Sequence, residues 1–230
     1  MVSKSAQAIV ERPFVIELGL PATFRAAYCE KLGYPMRITE VHAVYPKNHH
    51  VGSSWRTHFW QIAVRIDTDT GVCGWGYGGG GEGAVRVVNG HFRDLLLGRE
   101  VEADQEGIAR TWDELYKACV PYGRRGIAIM ALSGIDLALW DLAGKVAGLP
   151  IHRLLGTCRD RVPAYSSTAW QPTPEAYAEE ALQFQSMGWT AYKIHPHGQA
   201  KPDIQISRAV REAVGDDMVL MLDSMWSYGY

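Results

Sequence analysis

The sequence predicts an α/β protein, an α+β domain followed by a parallel βαβαβ unit. Three observations carry that prediction. Residues 36–77 hold strand-like runs parted by turn residues, residues 127–146 hold the clearest helical period, and after Arg161 short apolar strands alternate with helices at about thirty-residue spacing. The expected domains are an N-terminal extension (1–35), an α+β domain (36–160) and the strand–helix repeat (161–230).

Residues 1–35 have no steady period and are broken by Pro13, Gly19, Pro21 and Gly33, so they are expected to pack on another part of the molecule. From Met36 to Tyr45, Ile38, Glu40 and His42 alternate with Thr39, Val41 and Ala43, and Phe59–Ile66 is rich in β-formers; antiparallel pairing is expected. Between them Pro46–Thr57 is a long polar loop containing His49, His50 and Trp55. Asp67–Gly71 supplies turn chemistry, and Val72–Tyr77 closes the meander. Helices are expected near Ala84–Leu97 and Asp104–Cys119. A third spans Ile127–Val146, where Ile127, Met130, Ala131, Ile135, Leu139 and Leu142 recur at helical steps before Gly148 and Pro150 stop it.

In the repeat, Val162–Ser167 reads as a strand, Pro174–Met187 as a helix opened by its proline, and Ala191–His195 as a strand. Pro202–Val214 is helical, and Met218–Leu222 is a wholly apolar strand of the kind a parallel sheet buries on both faces.

Composition narrows the function classes. With 230 residues, 47% of them hydrophobic, and a formal charge of −2, nothing drives the chain toward nucleic acid or an anionic membrane, and neither is an expected partner. The apolar stretches near the N-terminus are interrupted by Glu11, Arg12 and Glu17 before they reach signal or spanning length. Together with four scattered cysteines, expected as reduced and mostly buried thiols, this points to a cytoplasmic location. The eight tryptophans are expected mainly in the core, Trp140 most clearly.

Functional groups in parallel α/β sheets gather beyond the carboxyl ends of strands. Lys193 and His195, two apart, would point the same way from one strand, and Asp223 ends the next. Such a set suits a hard cation with an adjacent base, or equally a snorkelling lysine, a packed histidine and a capping aspartate. Gly74-Trp-Gly76-Tyr-Gly78-Gly79 matches a dinucleotide fingerprint formally, but it follows a hairpin turn, so close backbone packing is expected there. His195-Pro-His197 and His49-His50 lack a third clustered His or Cys for a transition-metal site.

Ser133-Gly-Ile-Asp-Leu-Ala-Leu-Trp-Asp-Leu-Ala-Gly-Lys145, with Gly148-Leu-Pro150 and Leu154-Leu-Gly156, resembles the signature that links capping domain to barrel in the mandelate racemase and muconate lactonizing group of the enolase superfamily. Tyr192-Lys193-Ile194-His195 falls where that family's second barrel strand carries Lys-x-Lys, and Leu222-Asp223 where its third supplies a metal ligand. The resemblance, over residues 36–230, implies an α+β capping domain followed by the start of a TIM-type β/α barrel.

It further implies Mg²⁺ bound by Asp223, which stabilises the enediolate formed when the proton α to a substrate carboxylate is removed. Lys193 would hold or share the charge of the small carboxylate substrate, and His195, where the usual residue is lysine, would act as the base. Met225 replaces the commoner Asn two residues after the metal-binding Asp. His197 and the loop residues His49, His50 and Trp55 are candidate substrate contacts. The expected activity is dehydration of a hydroxy or sugar acid, with racemase, epimerase or cycloisomerase chemistry as the alternative, in a symmetric homo-oligomer. A complete barrel takes about 250 residues, so the expectation is a chain that stops after the third barrel strand. The isolated 230 residues would then be inactive, or would serve as a non-catalytic binding module if the natural chain ended at Tyr230.

Overall fold

The computed structural model describes residues 36–46, 60–225 and 227–228; the expectations for residues 1–35 and for His49, His50 and Trp55 lie outside these. The chain divides into two compact units, Met1–Cys158 and Arg159–Tyr230.

In the first unit β1 (Ile38–Val44), β2 (Ile62–Thr68) and β3 (Cys73–Gly78) form an antiparallel meander in the order β1-β2-β3. Alternation in β1 differs from the simple period. A register irregularity between Ile38 and Glu40 lets Ile38 share the buried face with Val41 and Ala43, as an inserted residue does at a bulge. The β2–β3 turn is closed by Gly71, at φ 80°, whose N–H donates to the Thr68 carbonyl at 3.1 Å.

Helical structure then runs without a break through α1 (Gly81–Val87), a π-helical turn (Val88–Phe92) and α2 (Arg93–Leu96). From the π turn, Asn89 reaches β1. Its Oδ1 accepts the Ala43 N–H at 2.6 Å and its Nδ2 donates to the Ala43 carbonyl at 2.9 Å, so a side-chain amide satisfies both backbone groups of an edge-strand residue. Helix α3 (Gln105–Gly123) is capped by the Asp104 carboxylate, which accepts the Gly107 N–H at 2.8 Å, and continues past Cys119 through Pro121. Helix α4 (Ile127–Ala147) ends at Gly148, in the left-handed conformation, and is followed by the short α5 (Ile151–Leu154).

The core is the contact of α4 with the meander. A side chain at Gly74, Gly76 or Gly78 would run into the carbonyl of Ala138, Gly134 or Met130 respectively, so period-two glycines on β3 match a four-residue step on α4 and the two backbones meet directly. Val64, Ile66, Phe92, Leu132 and Ile135 fill the space around that contact. Helix α4 is long and apolar enough to cross a membrane, but 56% of its most apolar stretch is buried inside the unit, which marks it as a core helix.

The second unit is a parallel three-stranded sheet, β4 (Ser166–Ser167), β5 (Ala191–Ile194) and β6 (Val219–Leu222), in that order. Helices α6 (Pro174–Ser186) and α7 (Ala200–Val214) connect the strands. Thr173 caps α6 by accepting the Ala176 N–H at 3.2 Å, with Pro174 preset in the first turn. Tyr177 and Ala181 of α6, Tyr192 and Ile194 of β5, and Ile206 and Val210 of α7 make its core. Full burial of each isoleucine stabilises by about 1.5–3 kcal/mol.

Four expectations are corrected. The strand expected over Val162–Ser167 pairs only at Ser166 and Ser167, because β5 is four residues long, and Val162 is exposed. The apolar β6 is not buried on both faces: it is the sheet's edge among the described residues, and Val219, Met221 and Leu222 are exposed. Of the described tryptophans, Trp60, Trp75, Trp170 and Trp189 are exposed, while Trp112 and Trp140 lie half-buried against the core. Of the described cysteines only Cys119 is buried; Cys73 is intermediate and Cys158 exposed.

Candidate active site

Parallel register places the candidate residues. Ser167, Lys193 and Met221 are in line across the sheet, and the flanking Tyr192 and Ile194 turn to the opposite face, where the helices pack. Each outer chain continues the ladder beyond its strand. The Thr168 N–H donates to the Lys193 carbonyl at 3.1 Å and the Asp223 N–H to the Ile194 carbonyl at 2.9 Å. His195 and Asp223 are thus held just past the carboxyl ends of β5 and β6, on the face opposite the helices.

There the three side chains converge. Lys193 Nζ lies 3.3 Å and His195 Nε2 3.4 Å from the same oxygen, Asp223 Oδ2. Asp223 Oδ1 accepts the Met225 N–H at 3.3 Å, and Met225 takes a left-handed φ of 51°, a conformation that costs a non-glycine residue about 1–2 kcal/mol. Lys193 Nζ also donates to Tyr165 Oη at 3.2 Å and stands 5.0 Å from the centre of its ring. His195 Nδ1 is 2.8 Å from the Thr168 carbonyl oxygen; a carbonyl only accepts, so this nitrogen carries hydrogen, and Nε2 is the nitrogen turned toward Asp223.

Charge follows from these contacts. Its hydrogen bond to Tyr165, with the one it donates to Asp223 behind it, raises the Lys193 ammonium above its ordinary range against the opposing effect of burial. Burial acts to raise Asp223, but the hydrogen bonds from Lys193 and the Met225 amide, with the charges of Lys193 and His195, outweigh it and hold the carboxyl below its usual value.

His197 takes a different position. Its N–H donates to Asp203 Oδ1 at 3.2 Å and its ring stands against Trp170 and Tyr177, 5.7 and 6.2 Å between centroids; none of its described contacts is with Lys193, His195 or Asp223. Sequence reasoning missed Tyr165 and Thr168. Tyr165 was findable, since it is two residues before Ser167 and so in phase with the Lys193 face. Thr168 acts through a backbone carbonyl, which leaves no mark in the sequence.

Mg²⁺ is held by one or two carboxylates together with water and substrate oxygens. Asp223 fits as one such ligand, its carboxylate ionised and at the open end of the strands. Among the described residues no cluster of three or more His, Cys, Asp or Glu could hold a metal unaided.

Known proteins carry the same framework. The chain is 36% identical over 169 residues to an arabinonate dehydratase of Saccharolobus solfataricus, covering 71% of this chain and 44% of that protein. It is 34% identical over 174 residues to a D-galactarolactone cycloisomerase of Agrobacterium fabrum, covering 74% and 44%. A mandelate racemase/muconate lactonizing protein from Paracoccus denitrificans, solved with magnesium, superimposes with a TM-score of 0.66 at 32% identity, covering 82% of this chain and 51% of that one. The chain therefore spans under half the length of the two named enzymes. Residues 37–156, over half of the sequence, match the N-terminal domain of the mandelate racemase / muconate lactonizing enzyme family, and to that family the chain belongs.

Proposed function

We propose that this chain carries one side of a Mg²⁺-dependent site that removes the proton α to the carboxylate of a sugar or hydroxy acid, with loss of water as the overall reaction. The observation that carries the reading is the convergence of Lys193 Nζ and His195 Nε2 on Asp223 Oδ2 at 3.3 and 3.4 Å. Asp223 would be one ligand of the metal, which when bound neutralises the charge that builds on the substrate carboxylate.

His195 accepts the α-proton at Nε2, the nitrogen that faces the Asp223 side of the site while Nδ1–H bonds Thr168. Lys193, donating to Tyr165 and Asp223, stays cationic and pairs with the substrate carboxylate. Loss of the α-proton with departure of the β-hydroxyl, which takes up one proton and leaves as water, yields the enol of a 2-oxo acid. The arabinonate dehydratase among the relatives favours this outcome, while the cycloisomerase favours intramolecular lactone chemistry after the same first step. His49, His50, Trp55 and His197 are proposed substrate contacts, and a cytoplasmic homo-oligomer with no nucleic-acid or membrane partner goes with the reading.

The test is to incubate the protein carrying these residues with Mg²⁺ and a panel of sugar acids and to measure the 2-oxo acid released. Release from at least one acid, abolished by EDTA and by Asp223→Asn, is expected. Turnover that survives Asp223→Asn at full Mg²⁺ affinity contradicts the metal assignment.

A further inference from the structure

The bond that sets the tautomer of His195 is itself anchored from helix α6. Thr168 is buried, and its hydroxyl donates to Glu180 Oε2, which also accepts the Tyr192 hydroxyl at 2.6 Å; Glu180 Oε1 accepts Gln171 Nε2 at 3.0 Å. Thr168 Oγ1 lies 2.8 Å from the Ala169 carbonyl as well, but one hydroxyl proton serves one acceptor, and the carboxylate is the stronger. One turn earlier on the same face of α6, Tyr177 Oη donates to the backbone carbonyl of His195 at 2.7 Å. A single helix face therefore fixes both the backbone that carries the imidazole and the carbonyl that its Nδ1–H must reach.

We propose that Glu180 is a positioning residue for His195: by holding Thr168, it keeps the backbone carbonyl where it accepts the imidazole Nδ1–H, so that the neutral ring is the Nδ1–H tautomer. The opposite tautomer would set the Nδ1 lone pair against the Thr168 carbonyl oxygen at 2.8 Å, whereas Nε2 stands 3.4 Å from Asp223 Oδ2, longer than an ordinary N–H···O bond, so the closer acceptor decides which nitrogen carries hydrogen. Burial and the bond to Glu180 both keep the Tyr192 phenol protonated, so it remains a donor to that carboxylate. The three groups hydrogen-bonded to Glu180 all donate to it, the two hydroxyls to Oε2 and the Gln171 amide to Oε1. The importance of the tautomer for turnover rests on the reading of His195 as proton acceptor; the tautomer itself does not.

The experiment is long-range ¹H–¹⁵N correlation spectroscopy of the 230-residue chain labelled at histidine, at alkaline pH where the rings are neutral, with the His195 signals assigned by their loss in His195→Asn. Wild type is expected almost wholly as the Nδ1–H form. Glu180→Ala should reduce that form to a minority, while Glu180→Gln, which keeps an acceptor for the two hydroxyls, should restore it. Thr168→Val, which removes the hydroxyl but leaves the carbonyl, gives the same readout if Glu180→Ala does not fold, and is expected to lose the preference likewise. An Nε2–H form in wild type, or an unchanged Nδ1–H form in the folded Glu180→Ala or Thr168→Val variant, overturns the proposal. Substrate exchange undiminished in His195→Asn would instead sink the base assignment and leave the tautomer result standing.

Discussion

The two units bury their sheets in opposite ways. In the first, the meander meets α4 through glycines, with Gly74, Gly76 and Gly78 against the helix backbone, so close approach replaces side-chain interdigitation. In the second, Tyr192 and Ile194 pack on Tyr177, Ala181, Ile206 and Val210, so large side chains separate sheet from helices. The faces turned away from the helices differ too. On the meander that face carries Trp75 over Arg65, an exposed cation–π pair of modest worth. On the parallel sheet it carries Lys193, His195 and Asp223, drawn together at the strand ends. The contrast teaches that the tightest packing and the converging strand-end side chains fall in different units: one sheet meets its helix by backbone contact, the other aims polar side chains away from its helices.

This comparison is open to attack at several points. The largest expected effect is on chemistry alone. His195→Asn should slow α-proton exchange by about 10²–10⁴-fold with little change in melting temperature, because the residue lies beyond β5 rather than in the core; a large loss of stability would mean that the histidine is structural. Next comes hollowing of the second unit. Ile206→Ala should cost about 2–5 kcal/mol in denaturant unfolding followed by Tyr192 fluorescence, and a loss under 1 kcal/mol would refute the side-chain-filled interface.

Overfilling the first unit is the mirror experiment. Gly76→Ala should destabilise by about 1–3 kcal/mol, since the new methyl meets backbone carbonyl rather than a movable side chain; a neutral result would undo the close-approach account. The smallest effect belongs to the Arg93–Glu40 pair, 2.8 Å apart on the surface of the first unit. The Arg93 hydrogen bond lowers the Glu40 pKa, so the folded value is below the unfolded one. The contribution is present above the unfolded pKa and is lost as pH falls through the folded one. For so exposed a pair it is small, and Glu40→Gln should lower the melting temperature slightly at neutral pH and not at all at strongly acid pH.

Legibility in the sequence tracked how local each determinant is. Helix α4 was readable to within a residue because its period, Gly148 and Pro150 all lie within one segment. The glycine pattern of β3 was correctly separated from a nucleotide loop by the turn before it, though not the four-residue step on α4 that it fits. The bulge in β1, the short pairing of β4 and the exposure of β6 depend on neighbouring strands, which local patterning does not specify. In the site, Lys193, His195 and Asp223 were found from strand phase and strand ends. Thr168, Tyr177 and Glu180 were not, since two of their bonds use backbone carbonyls and the third joins a helix to a loop twelve residues away.

The central claim is that these strand-end residues form a proton-abstracting site, and its most direct test is exchange of solvent deuterium into the α-position of a sugar-acid substrate, followed by NMR in the presence of Mg²⁺. The account predicts exchange by the wild-type protein, loss of it in His195→Asn and in Lys193→Ala on at least one face of the substrate, and loss in Asp223→Asn. Undiminished exchange in all three variants would contradict it.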